Sequence, residues 1–508
     1  MGSLPLAPRV AYPLAALSGV VYFLGFPGVN LWPLSFVALV PLIVALRGQA
    51  PRRAAGLGLV NGLFISFTGF YWLFGMLQRF SGFSAPLCVL FMLALCAYQG
   101  GRTALLGWLH ARAEQRGWPP APVFALAFVA SELVYPLLFP WYFGASVHNA
   151  PALLQTADLG GPYLVGLVLV APNLAFAELW LARLEQRAIV RRLVGLGLAV
   201  PAIAALYGAV RLRQIDAAMA AAPSIKIGIA QGNQPLKGRV APIATHLALT
   251  EQLRLQGAEL VLWSEGSDPH MYSEDQYKEA AKTEITHRLG VPAIIGTGIR
   301  RPTTTGRRTY FNSALLSDTD GTILGRYDKQ FLLAFGEYLP LGKTFPFLYR
   351  WSPNSGRFSP GTSLDPLLFG AHRISVIICY EDILPAFVNG MIRHADPDLI
   401  VNLTNDTWFG DTTEPLEHLA LAQLRAVEHR RYLIRATNSG LSAIVDAAGR
   451  VVMHGSAFRE EALIGEARFL RRRTGYEVLG DAPYWGATLT IALMALVEKK
   501  RIFRPKAS

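Results

Sequence analysis

Ile374-Ser375-Val376-Ile377-Ile378-Cys379-Tyr380-Glu381-Asp382 is the stretch on which the fold turns: a β-branched, apolar run leads straight into a cysteine and two acids. A short apolar run ended by polar residues reads as a strand buried on both faces, the kind found in an α/β sheet covered by helices. Cys379 then stands at the strand's carboxyl end, where such sheets gather reactive groups on loops. The chain has only three cysteines, and Cys88 and Cys96 lie in a long apolar run near the N-terminus. Cys379 therefore has no disulfide partner in the water-soluble part and becomes a candidate nucleophile. Taken alone, a thiol there reads more simply as a small buried hydrophobe.

Working outward, the chain from Ser224 alternates short strands with amphipathic helices. The pattern predicts strands over 225–230, 260–263, 293–297, 374–378, 399–403 and 443–446, and helices near 241–256, 273–289, 384–394 and 416–431. Two more segments carry chemistry. Leu260-Val261-Leu262-Trp263 runs into Ser264-Glu265-Gly266, and Tyr327-Asp328-Lys329-Gln330 leads to Phe335-Gly336-Glu337-Tyr338. Singly, Glu265 reads as a solvated loop acid and Lys329 as a surface cation. Together with Cys379 they make a set: a thiol with an ordinary pKa near 8.5 needs a base or a cation nearby. Glu265, raised by burial, would take its proton, and Lys329 would hold a thiolate or an oxyanion. No metal-ligand spacing or cofactor motif is present, and His418 and His429, eleven apart on a predicted helix, read as surface or hydrogen-bonded residues.

The N-terminal half has a different solvent. Mean hydropathy is +0.32 and 16% of residues are charged, too apolar for an ordinary soluble chain. Only five acids (Glu114, Glu132, Asp158, Glu178, Glu185) precede residue 213, leaving 30 of the 35 for the remainder. A carboxylate at the bilayer centre costs roughly 2.5 to 3.5 kcal/mol on insertion scales, so this distribution points to lipid. Apolar runs near 11–29, 31–47, 54–77, 83–109, 119–138, 161–182, 193–212 and 482–497 predict about eight transmembrane helices. The expected domains are 1–212, transmembrane with seven helices; 213–480, catalytic; and 481–508, a last helix with a basic tail. Arg47, Arg52, Arg53, Arg112, Arg116, Arg183, Arg187, Arg191, Arg192 and the tail from Lys499 to Lys506 fall on one side, with Arg79 the main exception. By the positive-inside rule both termini are cytoplasmic and the catalytic domain is outside, in a bacterium the periplasm. The net charge of +12 is topological, and nucleic-acid binding is not expected.

Glu265, Lys329 and Cys379, in that order on an α/β domain, resemble the catalytic set of the nitrilase (carbon-nitrogen hydrolase) superfamily. Nearly the whole chain is similar to that superfamily's membrane branch, the apolipoprotein N-acyltransferase family, through Gln231-Gly232-Asn233, Phe335 to Pro340, Asn405-Asp406-Thr407-Trp408-Phe409-Gly410-Asp411, Arg425-Ala426-Val427-Glu428 and Arg435 to Gly440. Phe139-Pro140-Trp141 and Gln155 to Asp158 extend the similarity into the membrane half. The resemblance implies an α-β-β-α sandwich in the periplasm, Glu337 supporting Lys329, and Tyr380 and Glu381 lining the nucleophile. It implies a ping-pong acyl transfer without cofactor or metal. Cys379 takes an acyl chain from a phospholipid, phosphatidylethanolamine being the expected donor, as a thioester, then passes it to the α-amine of a diacylated apolipoprotein. A monomer in the bacterial inner membrane is expected. The alternative is a membrane-tethered amidase or hydrolase using the same residues.

This chain departs from the family in three places. The tryptophan a few residues after Gln-Gly-Asn is missing from Gln234 to Arg239, Ser264 and Gly266 flank Glu265 where Pro and Thr are usual, and an arginine after the fifth span's Glu is replaced near Tyr135. The segment Leu341–Gly361, with Phe345, Phe347, Tyr349, Trp351 and Phe358, reads equally as a mobile arm meeting acyl chains or as a packed surface loop.

Overall fold

A computed structural model describes residues 5–235, 243–302, 308–352 and 354–499, the side chain of Trp351 excepted. The Leu236–Arg239 departure and the basic tail beyond Lys499 lie outside the described residues. The chain divides into two compact units, one of residues 1–74, 83–212 and 478–508, the other of residues 75–82 and 213–477.

The first unit is helical. Three described helices are long and apolar enough to cross a membrane: Ala85–Gln115, Ala157–Leu184 and Arg191–Ala221. A fourth is counted if Pro51–Gly69 and Leu73–Ser81 form one bent span. Other predicted spans are shorter or interrupted. The run 31–47 splits into a 3-10 turn, Trp32–Phe36, and a helix, Val40–Leu46, while Pro120–Val134 and Ala482–Leu496 hold 15 residues each. Helices Pro51–Gly69 and Ala85–Gln115 approach so closely that a Cβ on Gly58 would sit 2.0 Å from the Thr103 carbonyl oxygen. Small residues permit that approach, as is usual where helices pack in lipid.

All five acids that precede residue 213 are paired. Glu114 meets Arg47; Glu132 meets Arg102 at 3.2 Å, Asp158 meets Arg211 at 2.8 Å, and Glu178 and Glu185 each meet Arg187 at 2.6 Å. Glu132 thus draws its cation from Arg102 on another helix, while Tyr135 donates its hydroxyl to the Tyr98 carbonyl.

The second unit is α/β. Its first sheet contains β1 (Ser224–Gln231), β2 (Leu260–Trp263), β3 (Met271–Ser273), β4 (Ala293–Pro302), β5 (Arg308–Ser317) and β6 (Ile323–Asp328). The second contains β7 (Leu367–Phe369), β8 (His372–Ile378), β9 (Leu399–Thr404), β10 (Tyr432–Thr437), β11 (Ala443–Val445) and β12 (Val451–His454), and β13 (Glu461–Arg468) returns to the first. The orders are β13-β1-β2-β4-β5-β6, with β3 beside β4, and β12-β11-β10-β9-β8-β7. Each sheet has a parallel centre, β1-β2-β4 and β8-β9-β10, continued outward by antiparallel strands, while the short β3 pairs in parallel with β4. The fully buried Leu260–Trp263 and Leu399–Thr404 are such central strands; apolar on both faces, they need cover on both. Helix Ile243–Leu255 packs on β1, β2 and β13, Pro385–Ala395 on β8 and Glu414–His429 on β10, while β10 meets β1, β2 and β13 of the other sheet. The layers are therefore helix, sheet, sheet, helix.

Residues 75–82 belong to this unit although both neighbouring segments belong to the helical one. Arg79 donates to the Trp408 carbonyl at 3.3 Å, Phe80 packs edge-on against Trp408, and Asn354 donates to the Phe80 carbonyl. Arg79, the exception in the charge pattern, is thus engaged with the α/β fold.

Candidate active site

Three strand ends build the site. Glu265 follows β2, Lys329 follows β6, and Cys379 follows β8. Cys379 is held at φ +51°, left-handed backbone that a non-glycine residue rarely adopts. Such a residue costs on the order of 1–3 kcal/mol and persists only where its surroundings enforce it. Here the 3-10 turn Cys379–Ile383 is pinned at both ends, by Glu381 and by Asp382.

Lys329 is 1% exposed and its ammonium lies 2.7 Å from Glu337 Oε2 and 3.4 Å from Glu265 Oε1. Asn312, in the middle of β5, joins the two acids, donating from Nδ2 to Glu265 Oε1 at 2.7 Å and to Glu337 Oε1 at 2.9 Å. Its carbonyl accepts the Lys329 N–H at 2.8 Å, fixing the lysine's backbone to the same strand. Glu337 is anchored in turn by the Leu333 N–H. A buried ammonium is tolerable only when its donors are used, and two carboxylates use them.

Electrostatics couple Cys379 to this group. Burial, then the Glu265 charge, push the thiol well up, with Lys329 opposing. Burial also raises Glu265, aided by Glu337 and opposed by Lys329 and Asn312. For Lys329 burial acts downward, but Glu265 and Glu337 outweigh it and the ammonium is firmly held. The resting pair is a thiol electrostatically coupled to a carboxylate with heightened proton affinity, an arrangement in which a base can take a proton as the sulfur attacks. The Lys329 ammonium is the fixed positive charge available to a developing oxyanion.

Glu381 is completely buried. Its carboxylate accepts the Ile378, Gln330 and Phe331 N–H groups at 2.7, 2.6 and 3.0 Å and the Tyr327 hydroxyl at 2.9 Å. It ties the Cys379 turn to the backbone that carries Lys329. Burial pushes its carboxyl up to about 7, against the pull of the Ile378 N–H and of Lys329. Tyr380 sits between them in the turn, half-buried.

Sequence patterns point to Glu265, Lys329, Glu337 and Cys379 but not to Asn312 or Tyr327. A lone asparagine inside a strand carries no spacing signal. His418 and His429, read from sequence as surface or hydrogen-bonded, are both buried. The ligand atoms of Asp406, Glu414 and His418 lie within 4.8 Å of one another, a grouping that no sequence spacing announces.

Two family descriptions match this chain, Apolipoprotein N-acyltransferase N-terminal domain over residues 18–175 and Carbon-nitrogen hydrolase over residues 226–472. The α/β unit is thus a carbon-nitrogen hydrolase domain. Among solved structures, the carbon-nitrogen hydrolase from Helicobacter pylori G27 is 18% identical, with a TM-score of 0.37 over 52% of this chain and 94% of that one. Whole-length relatives go further. Apolipoprotein N-acyltransferase of Geobacter metallireducens is 30% identical over 97% of this chain and 96% of its own, and that of Pseudomonas syringae pv. tomato is 32% identical over 91% and 92%. The chain belongs to the apolipoprotein N-acyltransferase family.

Proposed function

We propose that this protein is a phospholipid-dependent apolipoprotein N-acyltransferase with Cys379 as nucleophile, Glu265 as base and Lys329 as oxyanion partner. The observation that carries the reading is the Glu265, Asn312, Lys329 and Glu337 cluster electrostatically coupled to Cys379, in a chain that matches acyltransferases along almost its whole length.

Glu265 takes the thiol proton as sulfur attacks the ester carbon of a phospholipid. The oxyanion forms against the Lys329 ammonium and collapses, the lysophospholipid oxygen leaves with the proton from Glu265, and a thioester remains on Cys379. The α-amine of a diacylglyceryl-cysteine then attacks that thioester. Glu265 receives the amine's proton and returns it to the departing sulfur, leaving an amide. Glu337 holds Lys329, Glu381 holds the turn, and Tyr380 lines it.

In this reading the helices Pro8–Phe23, Val40–Leu46 with its preceding turn, Pro51–Gly69, Ala85–Gln115, Pro120–Val134, Ala157–Leu184, Arg191–Ala221 and Ala482–Leu496 make eight crossings of the inner membrane. They form domains 1–212 and 481–508, and both termini are cytoplasmic. Residues 213–480 face the periplasm as a monomer, with phosphatidylethanolamine the donor. The flanking arginines support that orientation. Exposed Phe331, Phe335, Leu341, Phe345 and Phe347 offer an apolar surface for acyl chains.

The test is label transfer from acyl-labelled phosphatidylethanolamine to a diacylated lipopeptide by the purified full-length protein. Wild type should give labelled lipopeptide and a trapped thioester; Cys379→Ala should give neither. Transfer by Cys379→Ala would sink the mechanism, and release of free fatty acid alone would favour the hydrolase.

A further inference from the structure

Behind Cys379 lies a second group of charged side chains, all buried and drawn from four elements. Asp382 comes from the Cys379–Ile383 turn, Asp406 from the turn Asp406–Trp408 after β9, His418 from helix Glu414–His429, and Arg435 from β10. His418 uses both ring nitrogens. Nε2 lies 2.7 Å from Asp382 Oδ1, and Nδ1 lies 3.2 Å from Asp406 Oδ1. Arg435 spans the same two carboxylates, donating to Asp382 Oδ2 at 2.6 Å and to Asp406 Oδ2 at 3.0 Å. It also donates to Asn402 Oδ1, and Asn402 donates to the Cys379 carbonyl at 3.4 Å.

Ionised carboxylates only accept hydrogen bonds, and a neutral imidazole has a single N–H, so a histidine facing two carboxylates satisfies both only as imidazolium. The ring's protons are assigned from this network. Two acids and two cations then cancel, which is what makes so many buried charges tolerable. The remaining neighbour, Glu414, lies 3.7 Å from His418 Nδ1. Burial, then the Asp406 charge, push its carboxyl well up, which disfavours a third negative charge here. Although Asp406, Glu414 and His418 are close enough to share a metal ion, both histidine nitrogens are occupied and Arg435 already supplies the positive charge. The arrangement is an ion-pair ring.

We infer that His418 is a positioning residue that acts as an imidazolium, clamping the turn that carries Cys379 to the Asp406 turn so that the thiol keeps its left-handed, reactive geometry. This rests on Cys379 being the nucleophile. Gly440 shows how tight the clamp is: a Cβ there would fall 1.9 Å from Asp406 Oδ2.

The test uses the full-length enzyme and the label-transfer assay, comparing wild type, Cys379→Ala, His418→Gln and the double variant Asp406→Asn/His418→Gln. Glutamine is neutral and leaves one negative charge uncompensated. His418→Gln should lose about 10²-fold in kcat with KM for phospholipid within about twofold, the cost of a misplaced nucleophile. Removing the Asp406 charge as well should restore roughly tenfold of that loss, a coupling that a merely space-filling histidine would not give. An unchanged kcat in His418→Gln, or a double variant at or below the single one, overturns the inference. Should His418→Gln not accumulate, wild-type kcat decides. Burial and Arg435 pull His418 down, but the Asp382 charge and the hydrogen bonds to Asp382 and Asp406 outweigh them and raise it to about 10, so kcat should stay level to pH 9 and fall towards pH 10. A rate still rising beyond pH 10.5 overturns it. An active Cys379→Ala enzyme instead removes the nucleophile reading itself, whatever His418 does.

Discussion

Glu265, after β2, and Glu381, inside the Cys379 turn, are both carboxylates pushed up by burial, and their surroundings differ in one decisive respect. Glu381 accepts hydrogen bonds on both oxygens from three backbone N–H groups and a phenol. Glu265 accepts only on Oε1, from Asn312 and Lys329, and its Oε2 takes no hydrogen bond from the described residues. A carboxylate with every lone pair engaged is a brace. One with an open oxygen beside a thiol has somewhere to put a proton.

That contrast can be broken in order of size. Glu265→Gln should cost about 10³-fold in transfer rate while thermal unfolding changes by less than ~1 kcal/mol; retention of activity within tenfold would erase the distinction. Lys329→Met should lose about 10²- to 10³-fold, read in the same assay as a slower approach to the Cys379 thioester. Glu381→Gln points an amide N–H at backbone donors, and should instead lower stability by about 3 kcal/mol, measured by thermal denaturation. A stable but inactive Glu381→Gln protein would assign it chemistry in place of bracing.

His418 sets a pH window for the clamp on the Cys379 turn. Its folded pKa, near 10, exceeds the ordinary value of about 6.5, so its contribution is complete below pH 6.5 and drains away as pH rises to 10. The midpoint of thermal unfolding should fall across that interval in wild type and less steeply in Asp406→Asn/His418→Gln. The smallest effect is expected of Arg79→Ala, about 0.5 kcal/mol from one exposed contact, followed by loss of protection of the Trp408 region in hydrogen exchange.

The parallel centres of both sheets were legible because strands buried on two faces are written as unbroken apolar runs, Leu260–Trp263 and Ile374–Ile378 among them. Arg308–Ser317 and Glu461–Arg468 were not. As antiparallel strands they mix Arg, Thr, Asn and Glu with apolar residues, and only pairing with a neighbour makes them strands. Glu265 and Cys379 could be found because each follows such a run, and Lys329 because Tyr327-Asp328-Lys329 resembles a family motif. Asn312 and the His418 ring depend on register and on four elements meeting, which local pattern does not encode. The predicted helix near 273–289 shrank to Tyr277–Glu284, since Met271–Ser273 is recruited by the edge of β4.

The short run Gly75–Gly82 gives the α/β unit an unusual ancestry in time. Residues that lean on Trp408 and are gripped by Asn354 leave the ribosome 274 to 329 residues before their counterparts exist. The early piece must therefore wait for a catalytic fold made far later, and a fragment cut at residue 213 would leave the turn Asp406–Trp408 without its cover.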